Sequence, residues 1–146
     1  FIGAIQSKQA AQIAQNFSWV HSLDRLKVAN KLNQHADPAR PLNVLIQVNL
    51  EGESSKGGVN PADLNDLALA VDALQNLNLR GLMFMPKVHH EFEAQRAVFH
   101  QAKQVFSDLQ QVLPDIDQMS MGMSGDMQAA IAEGATMVRI GTALFG

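Results

Sequence analysis

Short runs of β-branched and other apolar residues alternate with longer amphipathic stretches along the whole chain, and this alternation limits the possible folds more than any other feature. Val44–Asn49 reads as a buried strand. Phe1–Ile5, Ser18–Ser22, Leu79–Met85, Asp117–Met123 and Thr136–Ile140 have similar character. Helical spacing fills the intervals. It predicts helices over Ser7–Asn16, Asp24–Ala36, Glu91–Leu113 and Gly125–Glu133, and one beginning at Asn60-Pro61, with Leu64, Leu67, Ala68, Val71 and Leu74 on one face. In the long Glu91–Leu113 helix, Phe92, Phe99, Phe106 and Leu113 recur every seven residues, the pattern of a buried stripe or a contact seam.

Six predicted strands in strict alternation with helices call for a parallel sheet wrapped by helices. A doubly wound sheet and part of a (β/α)8 barrel both satisfy this order. At about 25 residues per unit the spacing is that of the eight-unit barrel of roughly 250 residues. The chain starts at Phe1 inside a predicted strand and stops at Gly146 just after another. The chain is expected to be a fragment, one domain over 1–146; on the barrel reading it holds about the last six units, and the first two strands lie upstream of Phe1.

Composition removes several classes of function. With 47% apolar and 17% charged residues the chain can build a core. A net charge of −3 and no basic block argue against a nucleic-acid partner. There is no cysteine, which excludes disulfides, thiolate zinc sites and thiol nucleophiles within the chain and fits a reducing cytoplasm. No apolar run reaches the roughly 18–20 residues of a membrane helix, so no membrane partner is expected.

In parallel α/β folds the chemistry lies just beyond the carboxyl ends of the strands. Two such segments stand out. Gly122-Met123-Ser124-Gly125-Asp126 runs from a predicted strand into a helix, offering a hydroxyl and backbone N–H groups to an anion. Arg139-Ile140-Gly141-Thr142 adds a permanent cation, a glycine that permits close backbone approach, and a second hydroxyl. Barrels frequently hold phosphate at their last two loops. In the alternative reading Ser124 caps the following helix and Arg139 pairs with a core carboxylate.

Other candidates carry less. Gly122-x-Ser124 is no nucleophile elbow, because Asp126 stands where a second glycine is needed and no histidine follows. His89-His90-Glu91 lacks the spacing of a zinc site, and no metal is expected. His21 reads as a satisfied histidine of the core or rim. Lys56, in the glycine-bearing loop after Asn49, can be either a solvated lysine or an amine reaching over the barrel mouth. The methionines near the strands read as packing.

At these residues the chain resembles a known family. Phe1-Ile2-Gly3-x-x-Gln6-Ser7, Val48-Asn49 with Lys56 and Gly58, Gly81-Leu82-Met83, Ser120-Met121-Gly122-Met123-Ser124-x-Asp126-Met127 and Met137 to Gly146 are similar to the pyridoxal phosphate homeostasis proteins, the bacterial YggS proteins and their eukaryotic counterparts. The resemblance covers the whole chain. It implies a (β/α)8 barrel of the alanine racemase N-terminal type that binds pyridoxal 5′-phosphate (PLP) at its mouth. By position, Ser124, Arg139, Gly141 and Thr142, with Gly122 and Met123 beside them, match the cofactor-binding residues, and Lys56 matches a recurrent loop lysine. The Schiff-base lysine of the family falls upstream of Phe1. Where the family carries Asn-Lys after Gln-Ser, this chain has Lys8-Gln9. The function implied is a cytoplasmic, monomeric PLP carrier or buffer that supplies apo-enzymes without robust turnover. A racemase-like PLP enzyme is the alternative, and the chain has no Tyr or Cys to act as a second proton-transfer group.

Overall fold

The structure, a computed structural model, describes residues 1–52 and 57–146. Five strands form one sheet among the described residues: β1 (Trp19–Leu23), β2 (Leu42–Val48), β3 (Leu77–Phe84), β4 (Gln118–Met123) and β5 (Met137–Arg139). The helices are α1 (Ala10–Asn16), α2 (Leu26–His35), α3 (Pro61–Asp72), α4 (Phe92–Val112), α5 (Met127–Ala132) and the short α6 (Thr142–Phe145). A 3-10 turn, Ser7–Gln9, leads into α1.

The strands pair in parallel in sequential order, β1-β2-β3-β4-β5. A doubly wound sheet must reverse its strand order at a switch point. An order without reversal is that of a barrel wall, so the sheet is part of a (β/α)8 barrel.

The two faces of the sheet bury different things. Val44, Ile46, Leu82, Phe84, Met119 and Met121 join Leu32, Leu64, Val71, Phe99 and Leu109 of the helices in one apolar cluster. Leu45 and Met83 are fully buried but stand outside that cluster. Side chains alternate across a strand, so these two face the concave side, the barrel interior. Gly81 lets β3 and β4 meet. A Cβ at this position would lie 1.7 Å from the Gln118 carbonyl oxygen, its partner in register.

Most sequence-based boundaries hold within a few residues, with two differences. Phe1–Ile5 is not a strand. Phe1 exchanges hydrogen bonds with β1, its N-terminus donating to Trp19 O (2.7 Å) and its carbonyl accepting from His21 N–H (3.0 Å). Side chains then take over: Gly3 N–H donates to Ser22 Oγ, and Arg25 Nη2 donates to Ile5 O. Within this run only Ile5 is buried, Phe1 stacks edge-on against Phe17, and Ile2 is exposed. The second difference is α6, too short to carry a periodic signal. In α4, Phe99, Phe106, Ala102 and Leu109 are buried, so the seven-residue repeat is a core stripe, with Phe92 exposed at its start.

Candidate functional site

Beyond the carboxyl ends of β3, β4 and β5 lies a cleft of about 640 Å3. Met85 to His90 form one wall and the Gly122–Asp126 turn another. Arg139 and the start of α6 close the third side, with Gln95 at the base of α4. A second cavity, of about 570 Å3, adjoins it on the concave side and shares Met85, Met123, Arg139 and Gly141.

The turn after β4 is built by short-range bonds. Gly122 has φ +101°, which L side chains rarely adopt, and a Cβ there would sit 2.6 Å from Ala130 Cβ. This lets the chain leave β4 close against α5. Asp126 Oδ1 accepts the Met123 N–H (2.7 Å) and closes the turn. Ser124 therefore does not cap α5. The N-cap position belongs to Asp126, and α5 starts at Met127 rather than Gly125. Instead, Ser124 Oγ accepts the N–H of Ala143 (3.1 Å) and ties the β4 turn to the first turn of α6. Having accepted one bond, the hydroxyl retains its own proton to donate. Leu144 and Phe145 donate their N–H groups to Gly141 O. Gly141 and Thr142 line the cleft.

Arg139 lies at the boundary of the two cavities. Its Nη1 donates to Ser120 Oγ (2.7 Å) and its Nη2 to the Phe84 carbonyl (2.8 Å). These bonds orient the guanidinium from two neighbouring strands. Nε is buried and has no partner. Among the described residues no carboxylate forms an ion pair with Arg139, which sets aside the core-pair reading. Burial pushes Arg139 below the usual arginine range, opposed by the charge of Asp126. It remains a cation, since a guanidinium does not lose its proton in proteins. A half-buried cation without a counter-charge among the described residues has lost part of its hydration, and an anion in the cleft would offset that loss.

Ser120 and His21 support this arginine, and sequence reasoning did not connect them to it. Ser120 Oγ lies 3.0 Å from His21 Nδ1. The serine oxygen accepts from Arg139 and also engages His21, so one hydroxyl links the arginine to the histidine. Burial, ahead of neighbouring positive charge that includes Arg139, lowers His21 to about 4. The only signal was a serine in an apolar strand, two residues before Gly122, on the concave face. His21 is satisfied, as expected. His89 and His90 stand on the cleft wall. Among the described residues no three His, Asp or Glu side chains converge as metal ligands, and no described helix is long and apolar enough to cross a membrane. Lys56 lies outside the described residues.

The chain belongs to the alanine racemase N-terminal domain family, whose profile matches residues 1–146. Its fold is shared with an alanine racemase of Clostridium difficile at a TM-score of 0.78 and 18% identity, over 99% of this chain and 38% of that one. Within the family it is similar to the pyridoxal phosphate homeostasis proteins. It is 50% identical to the one from Vibrio alginolyticus and 53% identical to the one from Pseudomonas aeruginosa, over 147 residues and its full length. The chain spans 63% of the length of these curated relatives. Among solved structures it is similar to PipY of Synechococcus elongatus, known without and with PLP bound. The TM-score is 0.89 to both, with 37% and 36% identity over 99% of this chain and 68% of PipY.

Proposed function

We propose that this chain forms the phosphate-holding part of a PLP site, in a single barrel domain that carries and buffers PLP within the cell and releases it to apo-enzymes. The observation that carries the reading is Arg139: a half-buried guanidinium whose Nε is buried without a partner and which pairs with no carboxylate among the described residues, at the foot of a cleft walled by Ser124, Gly141 and Thr142. That donor set fits a phosphate dianion, which needs positive charge, hydroxyl donors and backbone N–H groups together. The relatives named for PLP homeostasis, and PipY with PLP bound, support the choice of phosphate ester.

When bound, PLP supplies an aldehyde that condenses reversibly with amines. The residues of this chain bind and orient. Ser124 and the Gly141-Thr142 backbone hold the phosphate, with Gly122 and Met123 shaping the turn beside it, and Arg139 balances charge from below. His21, kept neutral chiefly by burial, engages the same Ser120 hydroxyl that accepts from the arginine. Carrying needs no further proton-transfer group, so turnover of amino acids no faster than with free PLP is part of the proposal.

Borohydride trapping tests it. The full-length protein is mixed with PLP, reduced, and its labelled peptide mapped with and without excess inorganic phosphate. The expected result is label on a lysine upstream of Phe1 that phosphate suppresses. Label on Lys56 would assign the holding role to the loop lysine. Labelling that phosphate does not affect would refute the cup.

A further inference from the structure

Gln95 is 8% exposed, one of four buried polar residues among those described. It sits in the first turn of α4, a helix fixed further along by Phe99, Ala102, Phe106 and Leu109. Burying an amide is unfavourable unless its hydrogen bonds are replaced. Here Nε2 donates to the carbonyl of His89 (2.7 Å) and toward that of Gly125 (3.3 Å). These two carbonyls belong to different loops on different walls of the same cleft. A side chain needed only for packing would not require two donors aimed at two loops.

Gly125 lies between Ser124, whose hydroxyl holds the Ala143 N–H, and Asp126, whose carboxylate holds the Met123 N–H. A displacement of Gly125 therefore moves both ends of the turn that walls the cleft. The same bonds keep two carbonyl oxygens engaged with Gln95. Freed, each is a partial negative charge beside the place where an anion would bind. Both effects act on the phosphate end alone.

We propose that Gln95 is a positioning residue for the phosphate end of the cleft, joining the β3 loop to the β4 turn and holding their carbonyl oxygens away from the bound anion. This rests on the PLP reading above.

The test measures dissociation constants of pyridoxine 5′-phosphate and pyridoxine, which lack the aldehyde and so report binding without covalent capture. Full-length wild type is compared with Gln95→Met, which keeps the side-chain length and removes both donors. Wild type is expected to prefer the phosphorylated compound. In Gln95→Met that preference should narrow about tenfold, the scale of one to two lost hydrogen bonds, with pyridoxine affinity unchanged. An unaltered ratio in a folded variant, or an equal weakening of both ligands, overturns the role of Gln95. No preference for phosphate in wild type overturns the PLP reading itself. Should Gln95→Met fail to fold, Gln95→Asn supplies the same readout. Its amide is one methylene shorter, and the ratio should again narrow; an unaltered ratio there overturns the role.

Discussion

Gly122→Ala would place a methyl carbon 2.6 Å from Ala130 Cβ and 3.3 Å from Val138 Cγ1, where carbon atoms rest about 3.5–4.0 Å apart. It would also force an L side chain onto φ +101°. The backbone conformation costs about 1–3 kcal/mol, and overpacking adds about 1–3 kcal/mol. A loss of about 4 kcal/mol is expected, a large share of the roughly 5–15 kcal/mol that holds a domain together. The two contributions can be separated. Ala130→Gly removes the closest atom and by itself costs about 1 kcal/mol as a glycine inside a helix. In the double variant the packing penalty from Ala130 should vanish while the backbone penalty stays. A coupling energy of about 1–3 kcal/mol between the two sites follows. Urea unfolding of the full-length protein, with constant m values, measures all four stabilities. A cost below about 1 kcal/mol for Gly122→Ala, or additive single effects, would refute the view that the cup depends on β4 leaving the sheet against α5.

Three further outcomes are expected. Gly81→Ala sets a Cβ against the Gln118 carbonyl, so β3 and β4 cannot keep their register; the variant should be recovered only as aggregate, and a soluble protein with unchanged circular dichroism would disprove this. Ser120→Ala leaves Arg139 Nη1 and His21 Nδ1 without their common partner and should lower stability by about 1–3 kcal/mol, read from the shift in urea midpoint. For pH, His21 binds its proton at about 4 when folded, against 6.5 ordinarily; the unfolded chain takes up the proton first, so its stabilising contribution is complete above 6.5 and is lost as pH falls from 6.5 toward 4. In Glu133 burial, which raises the carboxyl, is outweighed by hydrogen bonds from His100 and Arg96, so its contribution fades only below 4.5. Urea midpoints at pH 7 and pH 5 therefore isolate His21, and His21→Gln should flatten the difference; equal slopes would rule the histidine out.

The alternation of strands and helices was legible because buried parallel strands and amphipathic helices have different periods, 2 and 3.6. The two loops that wall the cleft were legible because glycine, serine and arginine just after strands have few structural uses in common. Phe1–Ile5 was misread because an apolar run does not record hydrogen bonding. There the ladder gives way to Ser22 and Arg25, whose reach across the chain no local pattern encodes. Ser124 was open between capping α5 and serving the cup, since both uses favour a serine at a strand-to-helix junction.

The sequence by itself determined the class of fold and the loops after strands where an anion could bind, which follow from local periodicity and from residue types in order along the chain. PLP came only from the resemblance to a family. Only the tertiary structure decided that Arg139 pairs with no carboxylate among the described residues, that Ser120 is shared between that arginine and His21, and that Gln95 joins two walls of the cleft. Each of these depends on groups 6 to 99 residues apart in the chain. Hydrogen bonds act over about 3 Å, and such distances exist only once the sheet has curled and brought the loops together.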